Sequence, residues 1–236
     1  MITLFYKNIF VDYQVMIKVA VVEDNETIRE GLQEIINGTT EFSCQAIYPK
    51  CETFIKDVKK INPDILLIDI GLPGMNGIEC IKKIKDFSPE LTILVLTVYD
   101  ENEILFSALC AGACGYIVKK TPPQKLLQMV KEAFYGYSYM SSVIADKVIN
   151  FFNQKMETNN NYHKVELTNH EKEILNRLME GFSIKAIADL FSVDVQNIGT
   201  DFSNIFKKLH LISTEKLIRT NGEKEKPVKT KSSLYR

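Results

Sequence analysis

The stretch Asn62–Gly77, "NPDILLIDIGLPGMNG", decides how the rest of the chain is read. Ile65–Ile68 is an uninterrupted apolar run, the mark of a strand covered on both faces. The run ends on Asp69, and Gly71 and Pro73 break the chain directly afterwards. An acid at the point where a strand leaves the core is either a cap for the following turn or the centre of a site. The neighbouring segments choose between these.

The same rhythm repeats outward from this point. Residues 17–22, 42–48, 64–69, 91–97 and 115–119 are strand candidates, while 25–38, 51–61, 76–87, 101–113 and 122–136 carry helical spacing. Five βα units with near-continuous apolar strands predict an α/β doubly wound, five-stranded parallel sheet over 16–137. Residues 138–164 are a linker with one helix near 141–156 and a polar, Asn-rich end. From 165 to 219 the pattern is all helical. Thr168 and Glu171 stand at capping-box spacing before an apolar face of Ile174, Leu175, Leu178 and Met179. Ile184, Ile187, Ala188 and Phe191 mark a second helix, and Asp194 can cap a third with Ile198, Phe202, Ile205, Phe206 and Leu209 inward. Two short helices, a tight turn and a longer helix describe a small all-α helix-turn-helix domain.

The ends of the chain read differently. Residues 1–15 precede a second methionine and are either an extension from a mis-chosen start codon or an added edge strand. Residues 220–236 hold five basic and two acidic side chains without apolar periodicity, so a disordered basic tail is expected. No apolar run is long enough for a membrane span, and the N-terminus has no signal-peptide pattern. Net charge is −1, so bulk charge demands no nucleic-acid partner. The five cysteines form no CxxC and are read as free thiols of a reducing cytoplasm. Cys110 and Cys114 could share a helix face, but small buried fillers are the preferred reading.

In an open parallel sheet, ligands bind beyond the carboxyl ends of the strands. Here those ends carry Glu23 and Asp24, then Asp69, Thr97 and Lys119. Converging carboxylates repel, and a hard divalent cation such as Mg²⁺ relieves this through oxygen ligands. Lys119 adds a second positive charge and Thr97 a hydroxyl donor. Together they suit phosphoryl transfer to Asp69 as nucleophile, giving an acyl phosphate. Singly, Asp69 could be a turn cap, Asp24 an N-cap, Thr97 a strand residue and Lys119 a solvated strand end. Haloacid-dehalogenase-type phosphatases also place a nucleophilic Asp at a strand end. They need a second Asp two positions on, where this chain has Gly71, which disfavours a turnover enzyme.

The segments "VAVVEDN", "DILLIDIGLPGMNGIE", "ILVLT" and "AGACGYIVKK" resemble the signatures of response-regulator receiver domains over about 16–137. The resemblance implies that Asp69 takes phosphate from a sensor histidine kinase. It implies Mg²⁺ held by Glu23, Asp24, Asp69 and the backbone carbonyl of Gly71. Thr97 and Tyr116 match the switch pair, and Lys119 the lysine that meets the phosphoryl oxygens. Val98, bulkier than the alanine frequent after the switch threonine, implies restricted access to Asp69.

Leu167 to about Ile218 resembles the LuxR-type helix-turn-helix, so the whole chain resembles a transcriptional response regulator of the NarL/FixJ class. That implies DNA as partner and a homodimer on phosphorylation, in the cytoplasm and without membrane attachment. The candidate DNA contacts are Lys185, Asn197, Thr200, Ser203, Asn204, Lys207 and Lys208. Where the family's third helix usually bears Lys and His, this chain has Gly199 and Asp201. Residues 165–219 hold seven Lys and Arg against eight Asp and Glu, whereas DNA-binding modules generally carry a basic face. Position 199 is expected to point at the major groove, and Asp201 to repel DNA. Weak intrinsic DNA affinity follows. An output domain acting through a protein partner stands as the alternative.

Overall fold

The computed structural model describes residues 15–98, 102–138, 140–158 and 165–222. The proposed N-terminal extension and most of the tail lie outside them. Five parallel strands, β1 (Ile17–Val22), β2 (Phe42–Tyr48), β3 (Ile65–Asp69), β4 (Thr92–Thr97) and β5 (Gly115–Val118), lie in the order β2-β1-β3-β4-β5. They alternate with α1 (Glu26–Asn37), α2 (Cys51–Ile61), α3 (Gly77–Phe87), α4 (Asn102–Ala111) and α5 (Pro123–Phe134).

The period of two in a strand sorts the sheet's side chains into two faces. Val19, Val21, Ile65, Leu67, Leu94 and Leu96 pack with Leu32 and Ile36 of α1 and Leu126 and Val130 of α5. Ala20, Val22, Leu66, Ile68, Ile93 and Val95 face Phe54 of α2, Ile81 and Ile84 of α3, and Leu105 and Leu109 of α4. All five β3 residues are buried, as their unbroken apolar run requires. The chain reverses order between β1 and β3, which brings the carboxyl ends of these central strands together.

Helix ends follow their caps. The Asn25 Oδ1 accepts from the Ile28 N–H at 3.1 Å, so Asn25 rather than Asp24 caps α1. Asn76 caps α3 by accepting from the Glu79 N–H at 2.9 Å. Cys114 lies in the connection after α4, off the helix that bears Cys110. The five thiols are free.

Beyond the sheet come α6 (Ser142–Thr158), α7 (Asn169–Met179), α8 (Ile184–Phe191) and α9 (Val195–Gly222). Thr168 and Glu171 close a reciprocal capping box on α7, and Ser183 caps α8. The first turn of α9 opens with the Asn197 N–H donating to the Asp194 carbonyl at 2.9 Å. The helix runs through Gly222, into the segment read as a tail from residue 220. Ile174, Leu175, Ile187, Ile198, Phe202, Ile205 and Leu209 are buried together. This small core is continuous with Ile144, Val148 and Phe152 of α6 and with the α4 face of the sheet. Phe106 of α4 meets Phe151 of α6 edge to face at 5.7 Å between ring centres.

Candidate functional site

The acidic site is built from the carboxyl ends of β1, β3, β4 and β5. Glu23 is fully buried, Asp69 is 8% exposed and Asp24 faces solvent. One oxygen from each of the three lies within 4.8 Å of the others. The Lys119 Nζ lies 2.7 Å from the Glu23 Oε2 and 3.2 Å from the Asp69 Oδ2. Burial pushes the Glu23 carboxyl above its ordinary value, against the opposing pull of Lys119. Burial alone would lower the Lys119 ammonium, but the hydrogen bond it donates to Glu23 and the charges of Asp69 and Glu23 outweigh it, and the net shift is upward.

Thr97, at the end of β4, and Tyr116, on β5, are both half-buried. The Lys119 N–H donates to the Thr97 carbonyl at 2.7 Å, which ties the ends of β4 and β5 together. Tyr116 lies opposite Val95, against the core face that α4 covers. Gly71 passes directly over the carboxylate: a methyl there would sit 3.6 Å from the Asp69 Oδ2. Val98 is 45% exposed.

Three supporting residues escaped the sequence reading. The Arg29 Nη1 donates to the carbonyls of Glu23 and Asp24, at 3.0 and 3.1 Å, and clamps the first acidic turn. The Glu52 Oε1 accepts from the Met75 N–H at 3.0 Å, in the loop after Asp69. Gly77 admits no other residue, since a methyl would stand 2.2 Å from the Asp69 carbonyl oxygen. Arg29 and Glu52 sit on helices where a charge normally means only a solvated face. Gly77 carried the one usable signal, a glycine just inside a helix start.

The third helix of the output region presents three stripes. Ile198, Phe202, Ile205 and Leu209 face their own core. Asn197, Thr200, Asn204 and Lys207 are exposed, as is Lys185 on α8, while Ser203 is half-buried. Lys208 is engaged within the domain, its Nζ 2.8 and 2.6 Å from the two Glu171 carboxylate oxygens. The third stripe packs on the sheet domain. His210 lies with its Nδ1 2.9 Å from the Cys110 carbonyl, and the Ser213 hydroxyl donates to the same oxygen at 2.6 Å. Gly199 is buried, and a methyl there would stand 2.8 Å from the Tyr137 Cβ. Position 199 therefore faces Tyr137 rather than open solvent. Asp201 turns to α7, its Oδ2 3.2 Å from the His170 Nε2. Both departures from the expected helix have partners inside the molecule.

A parallel sheet with an acidic pocket at its carboxyl ends, followed by a helix-turn-helix, defines a phosphoacceptor module joined to a DNA-binding output module. Residues 19–131 match the response regulator receiver domain family, and residues 165–220 match the family of bacterial regulatory proteins of the luxR type. The chain is 31% identical to the oxygen regulatory protein NreC of Staphylococcus aureus strain JH9, over 85% of this chain and 94% of NreC. It is similar in structure to a LuxR-family two-component response regulator from Aurantimonas sp. SI85-9A1, with TM-score 0.52 and 26% identity over 58% of this chain and 97% of that one. The fold also matches the response regulator RcsB of Salmonella typhimurium, with TM-score 0.51 and 20% identity over 87% of this chain and 99% of that one. The chain belongs to the response regulators, of the NarL/FixJ class with a LuxR-type output domain. It is thus a phosphorylation-dependent transcription regulator and not an enzyme of ordinary turnover. No helix among the described residues is long and apolar enough to cross a membrane.

Proposed function

We propose that Asp69 accepts a phosphoryl group from a sensor histidine kinase, and that this event controls how α9 meets DNA. The observation that carries the reading is the convergence of three carboxylates within 4.8 Å, with Lys119 held among them. Three carboxylates and one ammonium leave two uncompensated negative charges in a largely buried pocket. A divalent cation balances them, and an all-oxygen donor set suits Mg²⁺. Glu23, Asp24, Asp69 and the Gly71 carbonyl would hold it. When bound, such an ion neutralises charge on the phosphoryl oxygens during transfer.

The chain's own residues do the rest. An Asp69 carboxylate oxygen attacks phosphorus while the bond from phosphorus to the kinase histidine nitrogen breaks. The nitrogen keeps the electron pair, and an acyl phosphate forms on Asp69. Lys119, already fixed beside Asp69, meets a phosphoryl oxygen, and the Thr97 hydroxyl donates to another. The Tyr116 ring turns inward behind Thr97. Acceptance of phosphate and its later hydrolysis are the only chemistry of the chain.

Helix α4 links this event to the output. It follows β4, covers Tyr116 and carries the Cys110 carbonyl that His210 and Ser213 grip. A shift of Thr97 and Tyr116 loosens that grip and frees α9. Asn197, Thr200, Ser203 and Asn204 then reach the groove. Lys185, Lys207 and, once it leaves Glu171, Lys208 reach phosphates. Two phosphorylated copies pair, and the second half-site binds at high effective concentration. Residues 16–137 act as receiver, 138–164 as linker and 165–219 as output, in the cytoplasm, which suits free thiols.

The test uses acetyl phosphate and Mg²⁺ with chemical trapping of the acyl phosphate. Wild type should label and Asp69→Asn should fall at least a hundredfold. Equal labelling of the two would overturn the assignment.

A further inference from the structure

Glu52 stands in the first turn of α2, remote in sequence from Asp69, yet it reaches the loop between β3 and α3. Its Oε1 accepts from the Met75 N–H at 3.0 Å. The preceding residue, Gly74, has φ +80°, and a methyl there would lie 2.9 Å from the same oxygen. The loop is thus shaped to receive this carboxylate. Hydrogen bonds from the backbone N–H groups of Glu52 itself and of Met75 hold the carboxyl below its ordinary value, so the acceptor stays ionised.

Gly71 lies on the same short loop, whose other fastenings are of different kinds. Leu72 is buried in the core by apolar contact. At the far end the Gly77 N–H donates to the Ile70 carbonyl at 3.0 Å, and Asn76 caps α3. Glu52 is the polar anchor from a different element. Lys50, before α2, offers no side-chain cap, and the first-turn Glu52 carboxylate takes its own backbone N–H at the helix end as well as the Met75 N–H of the loop.

We infer that Glu52 is a positioning residue of the phosphoacceptor site: by pinning Met75 and Gly74 it holds the Gly71 carbonyl toward Glu23, Asp24 and Asp69. This rests on the proposal that these groups form the divalent-cation site. Without the anchor, Gly71–Met75 samples conformations in which the carbonyl is turned away. The cation then has to restore the geometry at the expense of its own affinity. One ordinary hydrogen bond corresponds to about fivefold in an equilibrium constant.

The experiment compares full-length wild type, Glu52→Ala and Glu52→Gln. Mn²⁺ is the probe, its free fraction read by electron paramagnetic resonance without any phosphodonor. Exchange of the Met75 amide hydrogen is followed in parallel, and acyl phosphate formation from acetyl phosphate is titrated with Mg²⁺. Glu52→Ala should bind Mn²⁺ about fivefold more weakly, exchange the Met75 amide faster, and need about fivefold more Mg²⁺ for its half-maximal rate, with the loss recovered at saturating Mg²⁺. Glu52→Gln keeps the acceptor oxygen and should restore all three readouts.

Wild-type Mn²⁺ affinity in Glu52→Ala would overturn the inference. So would a Glu52→Gln protein as weak as Glu52→Ala, because charge rather than the hydrogen bond would then be the cause. A deficit in Glu52→Ala that saturating Mg²⁺ does not recover would point to general damage and overturn it too. If wild type itself neither binds Mn²⁺ nor forms the acyl phosphate, the site assignment fails. An indifferent Glu52→Ala beside a working wild type removes the positioning role alone.

Discussion

The acidic pocket and the contact of α9 with the sheet domain, made through α4 and through Tyr137 after α5, are held by different kinds of force. The pocket packs three carboxylates and an ammonium into a largely buried space, with Lys119 bridging at 2.7 and 3.2 Å. Removing Lys119 there would leave three converging carboxylates without their counter-charge, which is costly in a low dielectric. The interface uses a glycine against a tyrosine, and two hydrogen bonds onto one carbonyl. Each neutral contact contributes about 1 kcal/mol, and water can replace it when the surfaces part. A centre that must hold a reactive group in fixed geometry is built from strong, mutually dependent charges. The contact that opens in the proposed mechanism is built from weak and replaceable ones.

This contrast breaks most readily at Gly199. Gly199→Lys in the full chain should clash with Tyr137 and open the interface. DNA binding by the unphosphorylated protein should tighten about tenfold and show a steeper salt dependence, read by fluorescence anisotropy at several salt concentrations. Gly199→Ala separates the two causes. Alanine favours the helix by about 1 kcal/mol and adds no charge, so the full chain should still open while the slope against salt stays as in wild type. If neither variant changes binding, the interface does not restrain the output.

A smaller effect is expected from Ser213→Ala. The Cys110 carbonyl then keeps only His210, and the interface weakens by about 1 kcal/mol. Unphosphorylated binding should rise about threefold to fivefold, with the acyl phosphate yield unchanged. The smallest belongs to Asp201→Ala. Its partner His170 is half-exposed, and exposed pairs contribute about 0–1 kcal/mol. Stability and DNA affinity should both move by less than about threefold. A large gain in affinity would mean that Asp201 leaves His170 and does meet DNA.

The sheet and its pocket were legible because their code is local. A strand buried on both faces shows as an apolar run, and a strand-end acid, threonine or lysine falls at the carboxyl edge by topology alone. Glu23, Asp69 and Lys119 needed only the strand order to be brought together. Helix α9 was legible as a helix, and Ile198, Phe202, Ile205 and Leu209 as its inner stripe. What its other stripes face depends on a second body. Gly199 reads as a missing DNA contact until Tyr137 is seen against it, and Asp201 as a repulsive charge until His170 is. Arg29 and Glu52 were hidden for a related reason. The partners of Arg29 are the carbonyls of Glu23 and Asp24, and the partner of Glu52 is the Met75 amide in another loop; backbone groups leave no mark in a sequence.

Two of the crowded glycines, Gly77 and Gly199, differ in what crowds them, and this bears on how the protein can change over generations. At Gly77 the obstacle is the Asp69 carbonyl oxygen, 2.2 Å from where a methyl would stand, and that backbone belongs to the sheet itself. No substitution is absorbed there without displacing the strand that carries Asp69, so the position is closed to drift. At Gly199 the obstacle is Tyr137, whose N–H donates to the Glu132 carbonyl of α5, so the crowding comes from across a contact between the two regions and not from the Asp69 strand. In the proposed mechanism a substitution there shifts the balance between docked and free output. On that proposal a lineage can adjust how much the regulator acts in the absence of signal through this one residue, without touching the Asp69 pocket or the exposed side chains of α9.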